Sequence, residues 1–395
     1  MTEPQSKHPQ VAVWLGHIRA LAVEIGPRGP TREGERRGAE YARLQLEKIG
    51  LQPVWETFRS ARSIFHPHLL GGILMLVAFA VFPLAGRVSA AFAAGLSLLV
   101  VISELQELGF QSNLFRMLVP KGESQNVYAI IPPKGEHRQD LVLVGHVDSQ
   151  RTPLIFRTPR WVKIYDRFTM VAFASFIIQI VLYALAAAFA WTWAWYASIP
   201  TAVCAVLLVA MCLEAESTPF TAGANDNASA VGMVLTLAEQ LARAPLANTR
   251  IFAVLTGCEE VQHYGMIDWY RRHRGELKAP RAIVFEMLGC AGPAWTTREG
   301  IIVPFRSDAE LTRMAEKLSD AHPEWRAYPT MISGGNSELS DAVRFKVPAI
   351  TLFGLKPDGE APFWHQRGDT FDKLDPEVME RTWEFGRALV QEIDN

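Results

Sequence analysis

Metal-ligating side chains gather in a few short stretches of this 395-residue chain. They are Gly145-His146-Val147-Asp148, Gly223-Ala224-Asn225-Asp226-Asn227, Thr256-Gly257-Cys258-Glu259-Glu260, Glu286, and Trp364-His365 followed by Asp369-Thr370. Imidazole and carboxylate together suit a borderline-hard divalent ion such as Zn²⁺. Any one of these residues alone reads as an ordinary loop or capping residue. The set is informative because most of its members follow short apolar runs that read as strands.

Those runs are residues 141–144, 250–255, 282–285 and 349–353, and residues 53–58 and 126–131 also read as strands. Helical spacing runs through 11–25, 40–49 and 228–242, and the second of these stops at Gly50, a helix C-cap signal. Strands alternating with helices imply an α/β fold, a mixed, largely parallel sheet flanked by helices. Such sheets bind ligands beyond the carboxyl ends of their strands, which is where these side chains fall.

Taken in order, GHVDS, GANDNAS, TGCEE, FEMLG and WHQRGDT resemble the metal-binding motifs of the co-catalytic zinc exopeptidases, metallopeptidase family twenty-eight. The resemblance covers roughly residues 11–58, 122–150 and 217–375. Ile25-Gly26-Pro27-Arg28, and Ser340-Asp341 followed by Val347-Pro348-Ala349-Ile350, also look like that family. It implies the zinc exopeptidase (phosphorylase/hydrolase-like) fold, two Zn²⁺ ions and a peptide substrate. His146 and Glu286 would bind one zinc, Asp226 would bridge, and Glu260 and His365 would bind the other. Glu259 would be the general base, with Asp148 behind His146.

Physical chemistry agrees with those implied roles. A bidentate Asp226 can span the ~3.5–4 Å between paired metals. Glu259 and Glu260 are adjacent, so an extended backbone points them differently, one to ligate and one to reach water. Zinc lowers the pKa of a water toward about 7, and a nearby carboxylate can take its proton and pass it to a leaving amine. A carboxylate accepting the other N–H of a ligating histidine fixes the ring, which is the expectation for Asp148. Three features depart from the family. Glu286 stands where Asp is usual. Trp364 precedes His365 where a Tyr is common, leaving the indole N–H, or nothing, to stabilise an oxyanion. His146 and Asp226 are 80 residues apart instead of close.

Apolar sequence fills that interval. Residues 168–213 are 46 consecutive residues without Asp, Glu, Lys, Arg or His, twice the roughly 20 needed for one span. They read as two helices joined by a turn at 191–200, where Trp-Thr-Trp-Ala-Trp-Tyr favours a membrane interface. Residues 69–86 and, after Arg87, 88–103 read as a first pair. The expectation is four transmembrane helices in two hairpins, at 66–103 and 168–213. They would be inserted into one catalytic domain built from 1–65, 104–167 and 214–395, with the bilayer as partner and the site near its surface. No apolar segment typical of a cleavable signal follows the N-terminus. Arg59, Arg62, Arg157, Arg160, Lys163 and Arg167 flank the spans on the catalytic side, against Arg87 alone on the other. Positive flanks stay cytoplasmic, so the catalytic domain is expected there.

Composition removes other classes. Lys+Arg 39 against Asp+Glu 41 gives a net charge of -2 with no long run of one sign, unlike a general nucleic-acid binder. A hydrophobic share of 49% with 20% charged excludes a largely disordered chain. The 4 cysteines form no CxxC pair, so neither a disulfide framework nor a zinc ribbon is indicated. The expected function is a membrane-anchored dizinc exopeptidase, an aminopeptidase first. The alternatives are a single-zinc glutaminyl cyclase, which shares the fold, and a membrane scaffold with an inactive peptidase-like domain. The retained His146 and complete second site argue against the cyclase. Five ligands plus Glu259 argue against the scaffold. Arg298, Arg306 and Arg344 are the candidates for clamping a substrate carboxylate.

Overall fold

The computed structural model describes residues 3–332 and 334–395. Its contacts divide the chain into an α/β unit (residues up to 60, 122–151 and 220–395) and a helical unit (61–121 and 152–219).

The α/β unit is organised by one sheet. Its strands are β1 (Val54–Ala61), β2 (Lys121–Ile131), β3 (Gln139–His146), β4 (Thr249–Thr256), β5 (Arg281–Glu286), β6 (Ala294–Glu299), β7 (Phe305–Arg306), β8 (Tyr328–Met331) and β9 (Ala349–Phe353). The order is β1-β2-β4-β3-β5-β9-β6-β7, with β8 beside β6. β4, β3, β5 and β9 are mutually parallel, while β2 runs antiparallel to β4 and β6 antiparallel to β9. The sheet is therefore mixed with a parallel centre. β6, β7 and β8 have no counterpart in the sequence reading.

Alternate residues of the central strands feed two separate cores, as the period of two requires. Leu141, Leu143, Ile251, Ala253, Ile283 and Phe285 join one, and Val142, Val144, Phe252, Val254, Ala282 and Val284 join the other. Helices Pro9–Arg19, Ser229–Arg243 and Pro376–Asp394 supply the first core with Trp14, Met233 and Trp383. Helix Tyr264–His273 supplies the second with Trp269 and Tyr270. Burial on both faces explains why the central strands read as continuous apolar runs.

The helical unit contains Phe65–Val81, Arg87–Leu108, Pro159–Phe189 and Ile199–Ser217. The last three are long and apolar enough to cross a membrane by length and composition. Phe65–Val81, at 17 residues, is shorter. Its apolar run continues past the helix, but Pro83 and Gly86, with φ +57, turn the chain there. Pro159–Phe189 starts before the expected span because Thr158 caps it and Pro159 suits its first turn. Within this unit Arg87–Leu108 packs against both Phe65–Val81 and Pro159–Phe189, and Ile199–Ser217 packs chiefly on Phe65–Val81.

Candidate metal centre

The parallel centre of the sheet aligns the carboxyl ends of β3, β4, β5 and β9, and the sequence-predicted residues sit along that edge. His146 ends β3, Glu286 ends β5, and Glu259 and Glu260 follow β4. Asp226 lies in the turn before helix Ser229–Arg243, and His365 in the loop after β9. Gly223 opens the Asp226 turn with φ +62, and a Cβ there would lie 2.5 Å from the Asp226 carbonyl oxygen, so only glycine fits.

All of these side chains are buried, and they converge in three overlapping sets: His146, Asp226 and Glu286; Asp226, Glu260 and His365; and His146, Glu259 and Glu260. The first two share the Asp226 carboxylate. His146 Nε2 lies 3.6 Å from Asp226 Oδ1 and 3.4 Å from Glu286 Oε1. His365 Nε2 lies 3.5 Å from Asp226 Oδ2 and 3.1 Å from Glu260 Oε2. Two ligand atoms at ~2.0–2.1 Å from a tetrahedral ion lie roughly 3.4 Å apart, so both sets have the spacing of a zinc shell. Asp226 Oδ2, Glu260 Oε1 and Glu286 Oε2 are buried with no hydrogen-bond partner. Oxygens left bare in a protein interior need a cation to offset their desolvation, and the donor set fits zinc.

Electrostatics states the same need. Burial, then the neighbouring Glu260 charge, pushes the Asp226 carboxyl well up; burial and Glu259 do the same to Glu260. Burial raises Glu286 as well. Burial works against ionised Glu259 too, but the His146 and His263 charges outweigh it and hold this carboxyl down, to about 2. It stays ionised.

Carboxylates outside the ring hold its backbone. Asp148 accepts the amides of Glu259 and Glu260, each at 3.1 Å, and so presents those two side chains. Its Oδ1 is 3.4 Å from His146 Nδ1, while its own carbonyl is nearer that nitrogen, at 3.1 Å. The ring is thus fixed chiefly through the Asp148 backbone, and the carboxylate serves the Glu259–Glu260 turn. Asp369 does the equivalent work on the other side, accepting the amides of Asn225 at 2.7 Å and Asp226 at 3.0 Å. Asn227 Oδ1 and Asn225 Oδ1 accept the amides of Met287 and Gly289, tying the Asp226 turn to the loop of Glu286. The fully buried Arg28 guanidinium donates to the carbonyls of Leu21, Gly26, Val147, Ala222 and Gly223.

Sequence reasoning did not single out His263. Its Nε2 is 3.0 Å from Glu259 Oε1 and its Nδ1 2.7 Å from Asp341 Oδ2. Burial opposes its charge, but Asp341 and Glu259 hold it protonated. Glu338 is another addition, buried near the ring and pushed up to about 8 by burial and by the Glu259 charge. Neither follows a predicted strand, so position in the pattern gave no signal; the four-residue step from Glu259 to His263 was the available one. The three arginines lie apart. Arg298 and Arg306 face each other across the β6–β7 pair and are exposed, and Arg344 covers the Phe305 ring. Trp364 packs beside Met287, Phe353 and Leu355, its ring 4.5 Å from that of His365.

A buried mixed His/carboxylate ring at the carboxyl edge of a parallel sheet is a candidate divalent-metal centre. Residues 209–390 match the model of peptidase family M28. The match leaves His146 and Asp148 outside it. Solved structures agree in fold. A zinc aminopeptidase from Bacillus subtilis has a TM-score of 0.58 at 13% identity, with 97% of this chain and 95% of that one covered. A leucine aminopeptidase precursor from Bacteroides thetaiotaomicron has 0.55 at 12%, covering 99% and 98%. A glutaminyl cyclase from Tannerella forsythia has 0.57 at 15%, covering 96% and 98%. No curated protein matches the chain in sequence. Residues 209–390 are thus similar to the M28 peptidases, and the chain shares its fold with zinc exopeptidases and glutaminyl cyclases of known structure.

Proposed function

We propose that this protein is a membrane-anchored dizinc exopeptidase that removes amino-terminal residues from peptides. One observation carries the reading: the two oxygens of Asp226 face two different histidines, at 3.6 and 3.5 Å, each with a further carboxylate beside it. Bound zinc would supply Lewis acidity, polarising a scissile carbonyl and acidifying water. The chain's own part is then specific. Glu259 accepts the proton on Oε2, the oxygen turned toward His146, and delivers it to the leaving amine. Asp148 and Asp369 keep the ring in register while this happens. Arg298 and Arg306 are exposed on the β6–β7 pair and Arg344 covers the Phe305 ring, which weighs against capture of a terminal carboxylate.

Hydrolysis of aminoacyl amides and of N-blocked peptides by the detergent-purified protein tests the end specificity. Turnover of the amides and not of the blocked peptides is expected; the reverse overturns it. The cyclase reading has support from structural neighbours of that activity. Cyclisation of an N-terminal glutaminyl peptide, with no hydrolysis, would replace our reading with it. The membrane part of the proposal is four spans with the catalytic loops in the cytoplasm. A reporter pair fused at Asn395, one active only in the cytoplasm and one only after export, decides orientation.

A further inference from the structure

The Asp341–His263–Glu259 chain gives the proposed base a support of its own. Glu259 has two oxygens with different neighbours: Oε2 is 3.6 Å from His146 Nε2, on the metal side, and Oε1 is 3.0 Å from His263 Nε2. The other face of the His263 ring is anchored by Asp341 Oδ2 at 2.7 Å. All three side chains are buried. An N–H on either nitrogen of the ring therefore has a carboxylate oxygen within reach to donate to.

The backbone places His263 with equal care. The chain turns directly after Glu260, and the His263 amide donates to the Glu259 carbonyl at 2.8 Å. Gly265 then packs so close that a Cβ would lie 2.3 Å from the Gly257 carbonyl oxygen. His263 itself holds φ +56 at the head of helix Tyr264–His273. Asp341 comes from a separate helix, Leu339–Arg344. A rotamer-rich glutamate is thus tied at one oxygen to a ring that is itself tied to another element.

We infer that His263, anchored by Asp341, is the positioning residue of Glu259, fixing the plane of its carboxylate so that Oε2 alone faces the reacting water. The inference rests on the dizinc peptidase reading, since it assigns a role to the base of that reaction. A charge-assisted hydrogen bond that orients a catalytic group should be worth about 10- to 100-fold in rate.

The test uses the full-length zinc-loaded protein in detergent. His263→Leu should lower kcat about 10- to 100-fold with KM and zinc content unchanged. His263→Gln, which keeps a donor near the Nε2 position, should recover most of that loss. Wild-type kcat in His263→Leu, or an equal loss in the Gln variant, overturns the inference. If the Leu variant does not fold, Asp341→Asn decides: kcat should fall several-fold at constant KM, and an unchanged kcat refutes the anchor. A readout independent of turnover separates this from failure of the peptidase reading. In protein labelled with ¹⁵N-histidine, both His263 N–H resonances should be present. The Nε2–H should shift in Glu259→Gln and the Nδ1–H in Asp341→Asn. Absence of either shift refutes the chain of contacts even if no peptide is hydrolysed.

Discussion

Glu259→Gln is the most informative single substitution, because the structure lets it remove one property and keep the rest. The amide is isosteric with the carboxylate, and its carbonyl can still accept from His263 at the 3.0 Å contact. Presentation of Glu260 is untouched, since Asp148 holds the backbone amides of both residues at 3.1 Å and not their side chains. Glu259 belongs to neither of the sets that share Asp226, so zinc content should equal that of the wild type. What disappears is a proton acceptor beside the reacting water. Positioned general-base catalysis contributes about 10²–10⁴-fold, or roughly 3–5.5 kcal/mol of barrier. The assay is steady-state hydrolysis of an aminoacyl amide, with zinc measured on the same preparation. A variant with full activity would refute the base assignment. Loss of zinc would show that Glu259 and Glu260 have exchanged roles.

Other substitutions probe the supports. Asp226→Ala should release both zinc ions together, whereas His365→Ala should weaken mainly one; elemental analysis distinguishes them, and loss of a single ion from Asp226→Ala contradicts the bridge. Arg28→Lys replaces five donors with three, leaving at least two of its buried carbonyls bare. At about 1–3 kcal/mol for each, the variant should lose roughly 2–6 kcal/mol, read as a fall in the thermal midpoint. Glu299, buried against Ser337, has its carboxyl pushed up to about 8 by burial. Folding therefore favours its protonated form, so this group costs stability as pH rises from its ordinary value of 4.5 to about 8. Glu299→Gln should accordingly gain in thermal midpoint over wild type across that window; a gain confined to lower pH would reverse the sign.

The centre of the sheet was legible because β3, β4, β5 and β9 are buried on both faces and read as short apolar runs. The strand expected at 349–353 coincides with β9, and those at 141–144, 250–255 and 282–285 fall inside β3, β4 and β5. β6 was not, since Ala294-Trp295-Thr296-Thr297-Arg298-Glu299 mixes polar and apolar residues without alternation, and β7 has only 2 residues. Helix Pro376–Asp394 has a readable start, Asp375 before Pro376, where the Asp375 carboxylate accepts the amides of Glu377 and Val378. At the site, the residues brought together are the histidines and carboxylates that recur in the predicted loops, each ordinary alone and informative as a set. The anchoring of His263 by Asp341, the Glu338 contact to Thr256 and the Arg28 contact to Gly223 span 78 to 195 positions of sequence, which no local pattern encodes. The helical unit shows the same limit: apolar runs marked where helices lie, while Pro83, Gly86 and Thr158 set where they stop and start.

The central claim is that one bridging carboxylate organises two metal sites. Zinc bound per chain, measured on metal-stripped, reconstituted, detergent-purified protein, tests it most directly. Two sets of ligands sharing Asp226 predict about two equivalents, because a single tetrahedral ion cannot satisfy five ligands. A firm value of one would contradict the account.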